Sequence, residues 1–270
     1  MNAADFGFMA GMLKKRSGLI VKEDKAYLLE SRLLPIARKR GLEDLEGLVA
    51  ELRKAGNERL MVDVVEAMTT NESFFFRDAK PFDIFREETL PRLLVERRST
   101  RRVRIWCAAA STGQEPYSLA MILKDMEAKL SGWRIEILGT DLSADVLEKA
   151  KVGRYSQFEV QRGLPIQMMM KYFSEVNEMW QIDASIRAMV KYKAFNLLDS
   201  FAGFGKFDVI FCRNVLIYFD QETKADIFMR MSRQLEPDGA LFLGGAETVI
   251  GVTDHFKPVP GLRGVYAQAA

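Results

Sequence analysis

Histidine is nearly absent from this chain: 270 residues hold one, His255, beside only two cysteines, Cys107 and Cys212. A single imidazole leaves no two-histidine metal site, and any Ser-His-Asp or Cys-His mechanism would have to run through His255. No metal is expected. Each cysteine lies inside an apolar, strand-like run, where a small buried hydrophobe is the simpler reading than a disulfide. No apolar run is long enough to span a bilayer. The amino terminus carries its charges after a short apolar patch, the reverse of a secretory signal, so a cytoplasmic location is expected. An excess of one charge is also missing: a net +2 gives no broad attraction to a polyanion, and bulk nucleic-acid binding is not implied. What is present, 48% hydrophobic and 28% charged residues, is the composition of a soluble globular protein, with length for one large or two modest domains.

From residue 4 to about 71 apolar positions recur at three and four, predicting a bundle of four short helices punctuated by Gly18, Gly41 and Gly56. Pro35 is expected to kink or bound the second. A further helix is predicted from about Lys80 to Arg98, with Pro91 as a possible bend. From residue 103 short apolar strands alternate with helices: strands at 103–108, 135–139, 190–195, 207–212 and 240–243, helices at 114–130, 143–152 and 221–235. Near-continuous apolar strands in this alternation imply a largely parallel sheet covered on both faces, a doubly wound α/β domain. Residues 264–267 could add an edge strand, and the polar stretch 173–189 around Trp180 reads as a small ribbon or loop insert.

In such sheets ligands bind past the carboxyl ends of the strands. The first strand is followed by Ala108-Ala109-Ala110-Ser111-Thr112-Gly113-Gln114-Glu115-Pro116. Small residues there admit a ligand close to the backbone, but one glycine does not make the dinucleotide fingerprint. Glu115 at a helix start would repel a pyrophosphate and attract an ammonium. Asp141 closes the second strand, where this fold holds ribose hydroxyls, with an N-cap as the plainer alternative. Asn196-Leu197 and Arg213-Asn214 close the next two and suit a purine edge. An ammonium, a ribose and an adenine without phosphate describe S-adenosylmethionine.

Three blocks carry a resemblance: Thr69-Thr70-Asn71-Glu72-Ser73-Phe74-Phe75-Phe76-Arg77-Asp78, the stretch from Trp106 to Ser118, and Phe211-Cys212-Arg213-Asn214-Val215-Leu216-Ile217-Tyr218-Phe219-Asp220. In this order they resemble the signatures of the CheR family, the chemotaxis receptor glutamate O-methyltransferases, and the similarity runs over essentially the whole chain. It implies a Rossmann-like S-adenosylmethionine methyltransferase domain (81–270, with the insert at about 173–189) preceded by a small helical, receptor-facing domain and linker (1–80). It implies that Asn71, Ser73, Arg77, Glu115, Asp141, Asn196, Leu197, Arg213 and Asn214 hold S-adenosylmethionine and its product S-adenosylhomocysteine. Arg77 and Tyr218 are the residues it places near the transferred methyl. Ser73 for a common Thr, Gln114 for a frequent Glu, and Cys107 for Ser or Gly are mild departures.

Two basic clusters stand out. Arg97, Arg98, Arg101, Arg102 and Arg104 read as a solvated helix end. Lys25, Arg32, Arg38, Lys39 and Arg40 form a stripe on the second helix. The resemblance turns that stripe toward the glutamate-rich methylation helices of membrane chemoreceptors. The expected partner is thus a receptor, with no nucleic acid, no membrane insertion and a monomeric enzyme. The segment 174–178 has no glycine, which leans toward an enzyme independent of a receptor tether peptide. A nucleic-acid methyltransferase is the runner-up, weakened because Val215-Leu216-Ile217 lacks the two prolines that flank a flipped base. A non-catalytic cofactor-binding module is the remaining alternative.

Overall fold

The four amphipathic segments fold as their apolar spacing predicts, into α1 (Ala3–Ser17), α2 (Ala26–Lys39), α3 (Leu45–Leu52) and α4 (Glu58–Met68). The structure is a computed structural model that describes residues 1–269. Asn2 and Asp44 cap α1 and α3 through their side chains, each accepting a backbone N–H at 2.8 Å. Gly18 ends α1 with φ of 76°, a left-handed position that suits glycine. Pro35 lies inside α2 without ending it. Met9, Leu13, Leu29, Leu33, Leu48, Leu52, Leu60 and Val64 form the buried interior of this bundle.

The chain groups into two compact units: Met1–Thr70 with Tyr218–Thr223, and Asn71–Ile217 with Lys224 onward. In the first unit, the segment from Tyr218 is held by the Ile20 N–H donating to the Tyr218 carbonyl at 3.0 Å and by Lys14 on Asp220 at 2.7 Å.

The second unit opens with α5 (Lys80–Ile84), a π-helical turn (Phe85–Thr89) and α6 (Leu90–Glu96). The widened turn falls where Pro91 has no N–H to offer the carbonyl four residues back. Then come β1 (Arg102–Cys107), α7 (Gln114–Asp125), β2 (Arg134–Asp141), α8 (Ala144–Val152), β3 (Arg154–Tyr155), α9 (Gln157–Gln161) and α10 (Ile166–Tyr172). The remainder is β4 (Phe173–Val176), β5 (Met179–Ile182), α11 (Ala184–Arg187), β6 (Val190–Ala194), β7 (Phe207–Cys212), α12 (Gln221–Gln234), β8 (Leu235–Leu243), β9 (Phe256–Pro258) and β10 (Val265–Gln268).

The main sheet has seven strands in the order β6-β2-β1-β7-β8-β10-β9. The first five run parallel, while β10 and β9 are antiparallel additions. All six residues of β7 are buried, as a central parallel strand requires. Strand order reverses between β1 and β7, so the crevice for a ligand lies past the ends of these two strands. The ribbon β4-β5 is larger than the sequence suggests, because β3 joins it as a third antiparallel strand.

Arg97, expected in a solvated helix end, is instead tied to Asp208 at 2.7 Å and Asp238 at 2.5 Å, and Arg102, Arg104 and Arg134 converge on Glu136. Acidic partners far along the chain thus engage Arg97, Arg102 and Arg104, while Arg98 and Arg101 are exposed as expected of a solvated helix end.

Gly163, between α9 and α10, has φ of 84°, and a Cβ there would lie 2.1 Å from the Phe75 carbonyl oxygen. Neither backbone can yield easily. Gly163→Ala is therefore expected to destabilise the protein by about 3 kcal/mol, read as a lower denaturation midpoint at unchanged slope.

Candidate functional site

The loop after β1 is shaped by contacts within the chain. Gly113 has φ of 96°, and a Cβ on it would meet the Tyr192 hydroxyl at 2.7 Å, so the turn into α7 can be made only by glycine. Ser111, with φ of 48°, donates its N–H to Asp141 Oδ2 at 2.8 Å and its hydroxyl to the Asn71 carbonyl at 2.8 Å. Tyr155 donates its hydroxyl to the Thr112 carbonyl at 2.7 Å. Asp141 thus organises the loop, and its Oδ1 also accepts the Ser143 N–H at 3.1 Å. Ser143, not Asp141, is the N-cap of α8, which leaves the Asp141 carboxylate a buried acceptor facing the crevice-forming loop.

Glu115 sits in the first turn of α7, 8% exposed, with its Oε2 accepting from Arg213 Nη1 at 2.9 Å. The residues after β1 and β7 therefore meet across the switch point. Burial raises the pKa of Glu115 above the ordinary carboxylate range, and the Arg213 guanidinium only partly opposes it. Arg213 is itself buried; its Nη2 donates to Asp78 Oδ2 at 2.7 Å and to the Arg77 carbonyl at 2.8 Å, and its Nε has no partner. Burial also raises both cysteine thiols, consistent with inert packing residues.

The segment Asn71–Asp78 lies against this cluster. Phe75 is fully buried, edge-on to Tyr155 and Phe173 with centroids at 5.0 and 5.5 Å, and the Phe76 N–H donates to Ser118 Oγ at 3.0 Å. Phe76, Asp78 and Ala79 all have positive φ, a concentration of backbone strain maintained by those anchors. Arg77 donates Nη1 to the Glu72 carbonyl at 2.9 Å, with its guanidinium carbon 5.3 Å from the Phe74 ring centre. The neighbouring carboxylates are engaged elsewhere, Asp78 by Arg213 and Glu72 by Arg162 at 2.6 Å. Arg77 is thus oriented without a direct ion pair among the described residues.

The other expected site residues are placed as follows. Asn196 Oδ1 accepts the Leu198 N–H at 3.0 Å, and Leu197 is buried beside it. Ser73 is half-buried within the 71–78 segment. Asn214 has φ of 58° and follows Arg213 directly. Tyr218 ends a short 3-10 turn, Leu216–Tyr218, and groups with the helical unit. Of the basic stripe, Lys25, Arg38 and Lys39 are exposed. Arg40 pairs with Asp63 at 3.1 Å, and Arg32 donates to the carbonyls of Met68 and Thr69 at 2.7 and 3.1 Å and to Thr70 Oγ1 at 3.0 Å. Arg32 therefore secures the end of α4.

Sequence reasoning missed Glu247, Arg162 and the Asp78 partner of Arg213. The rule that finds polar residues past strand ends, extended to the Gly244-Gly245-Ala246-Glu247 run after β8, would have found the first.

Comparisons with known proteins cover nearly the whole chain. The family described as CheR methyltransferase, SAM binding domain, matches residues 71–265, and its all-alpha domain matches residues 4–69. A chemotaxis protein methyltransferase of Pseudomonas aeruginosa is 40% identical over 271 residues, covering 98% of each chain. One from Pseudomonas putida is 38% identical over 269 residues with the same coverage. A third, from Salmonella typhimurium, is 34% identical over 274 residues, or 99% of this chain and 91% of that one.

Proposed function

Because the chain belongs to the CheR methyltransferase family, in both its all-alpha and its cofactor-binding parts, we propose that it esterifies glutamate side chains of chemoreceptors. S-adenosylmethionine-dependent methyl transfer in chemotaxis is the activity of the family, and this chain is such an enzyme. Among the described residues no helix is long and apolar enough to cross a membrane.

The observation that carries the reading is the buried Glu115, held at the switch point against the Arg213 guanidinium with its proton affinity still raised by burial. Such a carboxylate gains from a further cation, which suits the ammonium of the methionine moiety. Asp141 offers acceptors to ribose hydroxyls. Asn71, Ser73, Asn196, Leu197, Arg213 and Asn214 complete the cofactor contacts by the family pattern. The cofactor, when bound, supplies an electrophilic methyl on a sulfonium.

The acceptor glutamate, with a reference pKa of roughly 4.3, is already a carboxylate at neutral pH, so no protein base is required. This agrees with a chain holding one histidine. The enzyme's work is alignment and removal of water from the nucleophile. Arg77 steers the acceptor carboxylate without clamping it, since a tight bidentate pair would blunt its nucleophilicity. Tyr218 is assigned its role near the transferred methyl by the family pattern alone, with a phenol that can donate one hydrogen bond.

On the helical unit, the exposed Lys25, Arg38 and Lys39 are the stripe residues free to meet an acidic receptor helix. The double reversal Arg38→Glu, Lys39→Glu is expected to slow methylation of receptor membranes about tenfold at low salt, converging with the parent as salt rises. Equal rates at low salt would reduce the stripe to a solvated face.

The acceptor class is tested by offering tritiated S-adenosylmethionine with receptor membranes, DNA and tRNA in parallel. Alkali-labile label on the receptor is expected; alkali-stable label on nucleic acid would overturn the reading.

A further inference from the structure

The buried carboxylate of Glu247 lies outside every role assigned so far. Glu247 is 9% exposed and follows the Gly244-Gly245-Ala246 turn at the end of β8. Its partners are four backbone amides. Oε2 accepts from the N–H groups of Gly244 at 2.7 Å and Asn214 at 2.8 Å, while Oε1 accepts from Val215 at 3.0 Å and Leu216 at 2.8 Å. Three of the four donors are consecutive residues of the loop after β7, and they lie about thirty positions earlier in the chain.

The geometry around the carboxylate is closely set. Asn214 has φ of 58°, so its amide and the two that follow can converge on one acceptor. Gly244 is required by the approach: a Cβ there would sit 2.7 Å from Asn214 Nδ2 and 2.8 Å from Glu247 Oε2. β7 and β8 are parallel neighbours, which brings their two exit loops side by side.

We propose that Glu247 is a positioning residue that clasps the loop after β7, and so presents Asn214 to the cofactor; this rests on the assignment of Asn214 given above. Both carboxylate oxygens are used twice. Glutamine therefore cannot substitute in either orientation, because its NH2 would face two backbone donors. Aspartate keeps the charge and acceptor set but is one methylene short.

The test combines local hydrogen exchange with binding of S-adenosylhomocysteine by calorimetry, on the full chain and well below its unfolding midpoint. For Glu247→Gln we expect the amides of 214–216 and Gly244 to lose protection while those of β1 and β2 keep theirs. The dissociation constant should rise at least about tenfold, with Glu247→Asp intermediate in both readouts. Because Glu247 is also one of the charges that raise the Glu115 pKa, the Gln variant should move the pH dependence of affinity toward lower pH, which lost packing alone would not do. Should Glu247→Gln not fold, the Asp variant is judged by the same protection and affinity criteria. Retained protection at 214–216, or an unchanged dissociation constant after protection is lost, would overturn the proposal. If the unaltered protein failed to bind S-adenosylhomocysteine, the assignment of Asn214 beneath it would fall first.

Discussion

Glu115→Gln is expected to raise the dissociation constant for S-adenosylmethionine by about ten- to a hundredfold, the range set by losing a charge-assisted hydrogen bond worth about 1.5 to 3 kcal/mol. The substitution keeps shape and burial while removing the charge and one of the two acceptor oxygens. Arg213 keeps two other acceptors, Asp78 Oδ2 and the Arg77 carbonyl, so it is not left without partners in the variant. The fold should persist.

The same carboxyl gives a pH signature with a definite sign. Burial raises the Glu115 pKa, so folding favours its protonated form. Its contribution to stability is therefore full below the ordinary carboxylate range and is lost as pH rises through the raised value. A cation placed against the carboxylate reverses that preference. Cofactor binding should release protons within this window, and affinity should increase with pH across it. Calorimetry in two buffers of different ionisation heat measures the release directly. The Gln variant should release none; identical release from both proteins would remove Glu115 from the ammonium role.

Arg77→Ala is expected to lower turnover on receptor membranes at least about tenfold, a barrier increase of about 1.4 kcal/mol or more, while cofactor affinity stays within about threefold. This effect follows from how the guanidinium is held. It rests on the Glu72 carbonyl and beside the Phe74 ring, and both nearby carboxylates are taken by other arginines. Its charge is thus available to an incoming carboxylate. Arg77→Lys keeps charge but loses the planar fork and should fall between. Weakened cofactor binding with unchanged turnover at saturation would assign Arg77 to the cofactor alone.

Much of the proposed site could be read from the chain because Asp141, Asn196 and Arg213 close apolar runs and Glu115 opens the helix after the first of them, where topology makes strand ends meet. The alternation of those runs likewise specified the parallel sheet. What escaped reading depends on long-range partners. Arg213 meets Glu115 across 98 positions, and Arg162 meets Glu72 across 90. The amides clasped by Glu247 carry no side-chain signal at all. Arg32 looks like a docking residue in a helical projection, yet its guanidinium is used by carbonyls at the end of α4. Helices α9 and α10 were hidden by their brevity and by the Gly163 and Pro165 that separate them. Such elements owe their form to tertiary contacts, not to periodicity.

The most direct measurement of the central claim is mass spectrometry of receptor peptides after incubation with the enzyme and S-adenosylmethionine, before and after mild alkali. The account predicts methyl esters on glutamate that are removed by alkali and that appear at least about tenfold more slowly with Arg77→Ala. Alkali-stable methylation on another side chain, or glutamate esters formed equally fast by the Arg77→Ala enzyme, would contradict it.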